Sequence, residues 1–148
     1  MNNKGFTLAE LIVVLVILAI LAAILVPSMI SWIDEANRKS IITEARSAYV
    51  ATQTVASQIY GEKGFERNQV ITYKSIDPAN AEFFEKIKTV GGFGGEIVYV
   101  TLVDGQVTEL VYAGHDSHYG DYKLERTKFG QWEFIDTIPE PQEADVHR

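Results

Sequence analysis

Apolar residues are not spread evenly along this chain: Leu11 to Val26 is an unbroken apolar run, and Glu10 is the only charged side chain from Phe6 to Ile33. At about 1.5 Å per residue, a helix over residues 6–33 is long enough to cross a hydrocarbon core of about 30 Å. Past Asp34 the pattern changes. Ile41, Ala45, Ala48, Thr52, Val55 and Ile59 recur at helical spacing, which predicts an amphipathic helix to Tyr60 with one apolar stripe. Asp34, Glu35, Arg38, Lys39, Glu44 and Arg46 crowd its first half, and no charge lies between Ala48 and Gly61. The second half is therefore expected to be covered on most sides, with Gly61 and Gly64 as the stop.

The remaining pattern switches to a period of two. Residues 68–74 read as a short strand. Asp77-Pro78 starts a small helix, with Asp77 as cap and an apolar face of Phe83, Phe84, Ile87 and Val90, closed by Gly91-Gly92. Residues 97–103 and 106–113 flank Asp104-Gly105, a hairpin signal, and residues 122–126 and 131–135 form a second hairpin around Lys128-Phe129-Gly130. A four-strand antiparallel meander with an apolar face needs a cover, and so does the bare half of the long helix. Packing one on the other predicts an α+β fold: a long amino-terminal helix against an antiparallel four-strand sheet. Residues 136–148, with two prolines and several acids, read as an extended tail.

Charge narrows the partners. The 148 residues hold 13 basic and 20 acidic side chains, a net charge of −7, which disfavours nucleic acid as a primary partner. There is no cysteine, so the head must hold together by packing. No nucleophile–base–orienter set, phosphate loop or catalytic acid pair stands out, and no enzyme or cofactor is expected. His115-Asp116-Ser117-His118 with Asp121 has donors for zinc, but Gly114 and Gly120 bracket it as an ordinary strand connection, and no metal site is assigned. Tyr99, Tyr112, Trp132 and Phe134 read as sheet core.

The order of segments around the apolar run carries the most information. A secretory signal peptide has its small-residue cleavage site after the apolar region. Here the small-residue junction with a basic neighbour, Lys4-Gly5, comes before it, so cleavage there leaves the membrane helix attached to the product. Lys4 and the amino terminus precede the span whereas Asp34 and Glu35 follow it, which places the amino terminus in the cytoplasm and the rest of the chain outside. Glu10 within an apolar segment costs up to about 3 kcal/mol on insertion and needs a partner. Pro27 lacks an N–H and clashes with the Ala23 carbonyl, predicting a kink, with Ser28 and Ser31 placed to back-bond to freed carbonyls.

Lys4-Gly5-Phe6-Thr7-Leu8-Ala9-Glu10 and the run behind it resemble the class III signal of the type IV pilin family, to which the pseudopilins are close relatives. The resemblance implies a leader of residues 1–5 removed after Gly5, Phe6 as the N-methylated first residue, Glu10 as the assembly carboxylate, and Pro27 as the helix-kinking proline. It implies residues 6–33 as the transmembrane and filament-core helix and residues 34–135 as the globular head. The function it implies is a structural subunit, the major pilin, of a type IV pilus. The alternatives are a type II secretion pseudopilin or a competence pilin, and, less favoured, a single-pass anchored binding domain. The partners implied are further copies of itself in a helical homopolymer, the prepilin peptidase and N-methyltransferase, the inner-membrane assembly platform, and the bilayer before assembly. The chain would then reside in the cytoplasmic membrane and afterwards in an extracellular filament. The lack of cysteine departs from pilins whose carboxy-terminal loop is closed by a disulfide.

Overall fold

The computed structural model describes residues 5–63, 69–116, 120–127 and 130–141. The chain divides into two compact units, residues 1–40 and 41–148. The first unit carries most of the helix α1, Leu8–Lys63, including the apolar run. Among the described residues each large apolar side chain from Leu11 to Ile33 is half exposed or more. The helix is unbroken through Pro27. Ser28 back-bonds as expected, but to Ile24 O at 3.1 Å and not to the Ala23 carbonyl that proline leaves free.

The second unit packs the end of α1 on a sheet. Ile41, Ala45, Ala48, Thr52 and Val55 are buried as the stripe predicts, joined by Ala51, Ala56 and Tyr60, while Ile59 is partly buried. The alanines keep this face shallow. The helix ends at Lys63; Gly64, one of the predicted stops, lies outside the described residues.

The sheet has five strands, not four, in the order β1 (Val70–Lys74), β2 (Glu96–Val103), β3 (Gln106–Asp116), β4 (Gly120–Arg126), β5 (Trp132–Phe134). The added strand is the one read at 68–74. A helix separates it in sequence from β2, yet it pairs antiparallel with β2 from Val70↔Val103 to Lys74↔Tyr99. Asp104 ties the two ends together, since its carboxylate accepts from Gln69 N at 3.1 Å and its own N–H donates to Gln69 O at 3.0 Å. Asp104 and Gly105 both have positive φ, 50° and 77°, the backbone a two-residue hairpin of this twist demands.

Between β1 and β2, Asp77 caps a short 3-10 turn (Pro78–Asn80) by accepting from Ala79 N at 2.9 Å, and α2 (Ala81–Gly91) follows. Phe83 and Ile87 are buried and Phe83 stacks on Tyr73, but Val90, predicted for the same face, is 54% exposed. The core joins α1 and α2 to Val100, Leu102, Leu110, Tyr112 and Leu124. Lys128 and Phe129 of the second hairpin lie outside the described residues, while Phe134 meets Tyr122 edge-on across β4 and β5.

Long-range polar contacts fix how α1 lies on the sheet. The Gln53 amide donates to Gly105 O at 3.0 Å and accepts from Val107 N at 2.9 Å, clamping the β2–β3 hairpin. Glu44 accepts from Gly94 N at 2.6 Å and from the Tyr122 hydroxyl at 3.3 Å. Tyr112 Oη in turn accepts from Gly95 N at 2.8 Å. A side chain at residue 95 would run into the Tyr112 hydroxyl and the Ala113 carbonyl, which is why glycine stands there. At the other side of the helix the Arg126 guanidinium lies 4.1 Å from the Tyr49 ring centroid.

Candidate functional site

At the start of α1 the sequence brings Gly5, Phe6, Thr7 and Glu10 into one turn. Gly5, Phe6 and Thr7 are outside the helix, and Leu8 is its first residue. Thr7 is the N-cap. Its Oγ1 accepts from Glu10 N at 3.3 Å, while the Glu10 carboxylate accepts from Thr7 N at 2.9 Å and from the Thr7 hydroxyl at 2.8 Å. The Thr7 carbonyl takes the first helical bond, from Leu11 N at 3.3 Å. Together these make a reciprocal capping box, which satisfies two of the N–H groups that a helix start leaves unpaired.

The box adds a residue that sequence reasoning passed over. Glu10 stood out by its charge and was expected to act between subunits, whereas within one chain it already bonds to Thr7. The signal was present: Thr-x-x-Glu directly before an apolar run is the signature of this cap.

Around the box the chain is open. Phe6, a large apolar ring, is 91% exposed among the described residues. A Cβ on Gly5 would have no heavy atom of the described residues within 4 Å. Pro27 stands apart from this turn, in the interior of α1.

In the head, His115 and Asp121 pair across β3 and β4 with Nδ1 and Oδ1 2.8 Å apart, both largely exposed. They line an open cleft with Glu44, Gly94 and Lys123. Asp116 lies opposite Gly120 in the same ladder, and Ser117 and His118 lie outside the described residues. Among the described residues no three His, Cys, Asp or Glu side chains converge as a metal site would need. Burial pushes the Tyr122 hydroxyl up to about 12, with the Glu44 carboxylate adding to it, and burial likewise raises Tyr112. On the opposite sheet face Glu125 lies directly across from Glu133, and desolvation, then Glu109 and Glu133, raise its carboxyl above the usual value.

The fold and the turn at Gly5–Glu10 define a class: an α+β protein headed by one helix long and apolar enough to cross a membrane, with a capped start beside an open Gly-Phe junction. Residues 1–26 match the family model for the prokaryotic N-terminal methylation motif. The chain is 44% identical over 62 residues to the type IV narrow pilus major component PilA5 of Thermus thermophilus, covering 40% of this chain and 53% of that protein. It is 40% identical over 43 residues to the type II secretion system core protein G of Klebsiella michiganensis, covering 29% of this chain and 30% of that protein. These matches thus span about half the length of one relative and under a third of the other. No solved structure matches the chain. Its amino-terminal part thus carries the N-terminal methylation motif and is similar to a type IV pilin and to a type II secretion core protein.

Proposed function

We propose that this chain is the membrane-held precursor of a type IV pilus subunit, the major pilin, cut after Gly5, methylated on Phe6 and polymerised through its amino-terminal helix. The observation that carries the reading is the bare apolar surface of α1 with one carboxylate at its head. Before assembly lipid covers that surface; afterwards the helices of neighbouring subunits do. Cutting after Gly5 frees an amine on Phe6, and the Glu10 carboxylate of an adjacent subunit is its natural partner in a dry environment. In this reading the chain is the substrate of a peptidase and methyltransferase and carries no catalytic function of its own. Its amino terminus starts in the cytoplasm, its head outside, and its assembly partners are the inner-membrane platform and other copies of itself.

Mass spectrometry of the amino-terminal peptide from the mature protein tests the processing step, with N-methyl-Phe6 expected; an intact Met1 in assembled material would overturn the reading. Glu10→Val tests assembly. The span becomes more apolar, so insertion persists, while sheared surface material viewed by electron microscopy should lack filaments. The similarity to a secretion core protein supports a second reading, a pseudopilin. Deletion of the gene separates the two: loss of surface filaments with secretion intact favours the pilin, and the reverse favours the pseudopilin.

A further inference from the structure

We propose that Thr7 is a positioning residue for leader removal: its capping box with Glu10 starts the helix at Leu8 and so holds the Gly5–Phe6 bond in open, non-helical backbone. The inference rests on the reading of that bond as the scissile junction. The reciprocal bonds between Thr7 and Glu10 are what bring Thr7 forward.

Hydrolysis at this junction adds water to the Gly5 carbonyl carbon and breaks its bond to the Phe6 nitrogen. Gly5 leaves as a carboxylate and Phe6 keeps the amine, which takes up the proton. Attack needs an open carbonyl face. Inside a helix the carbonyl of residue 5 would accept from the N–H of residue 9 and be wrapped by the first turn. In the observed start the first helical carbonyl is that of Thr7, so the Gly5 carbonyl stays free of the helix.

The sequence does not otherwise fix this start. No proline lies between Met1 and Leu8, and the leader holds Asn2 and Asn3, a residue type among the best N-caps. A helix capped at Asn3 would draw Gly5 and Phe6 into its first turn. Near an apolar environment an uncapped end does not simply fray, because its free N–H groups need partners, and extension to the next cap supplies them. Thr7 with Glu10 wins by bonding in both directions. The box also survives the cut, since the Thr7 N–H is not consumed.

The test uses the full-length precursor in detergent micelles with the purified prepilin peptidase, comparing wild type, Thr7→Ala and Thr7→Ser. The initial rate of leader loss and the ¹³Cα shifts of Gly5 and Phe6 are both read. Thr7→Ala should be cut about fivefold more slowly, the factor one N-cap side chain makes in a helix-start equilibrium, with both shifts moving toward helical values. Thr7→Ser keeps the hydroxyl and should restore rate and shifts together. An unchanged rate in Thr7→Ala overturns the proposal, and so does a slow rate with unmoved shifts, which would make Thr7 a contact of the peptidase instead. If wild type itself is not cut between Gly5 and Phe6, the junction reading fails and the proposal with it.

Discussion

Replacing Gln53 with leucine keeps the volume of the side chain and removes the one amide that clamps the β2–β3 hairpin to α1. Two backbone groups lose their partner, the Gly105 carbonyl and the Val107 N–H, bonded at 3.0 and 2.9 Å. Val107 is buried, so water replaces the clamp poorly on that side. A backbone group left without its partner costs about 1 kcal/mol or more, so the pair sums to about 2 kcal/mol. In a domain of this size each kcal/mol moves the melting temperature by about 4–8 °C, which predicts a drop of roughly 10 °C. The assay is a circular-dichroism melt of a truncated chain beginning at residue 34, which omits the apolar span. Ser57→Ala is the control: Ser57 meets Gln53 through a 3.4 Å contact and its own back-bond to the Gln53 carbonyl, and should shift the melt little. A Gln53→Leu melt within about 2 °C of wild type would show that the hairpin is held by apolar packing alone.

Tyrosine burial predicts an alkaline limit: with the Tyr122 hydroxyl at about 12 and Tyr112 raised as well, the folded head keeps protons that the unfolded chain loses near pH 10. Stability is full below pH 10 and falls as pH rises toward 12; Tyr122→Phe should soften that fall in melts taken across the window. Glu125 works the other way at acid pH. Its raised carboxyl makes the folded state the better proton binder, so stability declines as pH rises from about 4.5 through the folded value, and Glu125→Gln should melt higher than wild type at pH 7 and equally at pH 4. The group is partly exposed, so the gain should stay under about 1 kcal/mol. Gly5→Leu should fold and insert as wild type does, because none of the described residues crowds residue 5, while the leader stays attached on gels of the mature fraction; normal processing would contradict the cleavage assignment.

How much of this was legible depended on whether a residue's partner leaves a repeating trace. The buried stripe of α1 and the Asp104-Gly105 turn repeat a local pattern, and both stand where the periodicity puts them. The membership of β1 in the sheet was not legible, since its pairing with β2 closes over an intervening helix and rests on alignments such as Thr72↔Thr101 that no local period encodes. Gln53 and Glu44 were passed over for the same reason. Each is one polar residue whose partners, Gly105, Val107, Gly94 and Tyr122, come from distant strands. Val90 failed differently: it has the right spacing for the α2 face, but that helix ends one residue later at Gly91, and the side chain is left 54% exposed.

In the proposed filament Glu10 would serve twice, as a cap within its own chain and as the partner of another subunit's amine, and the geometry is compatible with both at once. Both bonds from Thr7 fall on Oε2. A carboxylate has two oxygens and about four acceptor sites, so Oε1 can meet an ammonium while the box stays closed. The two roles differ in one respect: capping needs an acceptor, and pairing with an ammonium inside a filament needs a charge. Glutamine at this position of a capping box serves nearly as well as glutamate. Glu10→Gln should therefore start the helix at Leu8 and be cut after Gly5 at the wild-type rate. Its filaments should be scarce, because a Phe6 ammonium buried opposite a neutral amide lacks the compensation a carboxylate gives, a cost of about 3 kcal/mol. Leader loss measured on immunoblots beside filament counts from sheared cells reads both roles in one strain. Slow cutting of Glu10→Gln would mean that its charge matters before assembly, and abundant filaments would mean that the amine finds another partner.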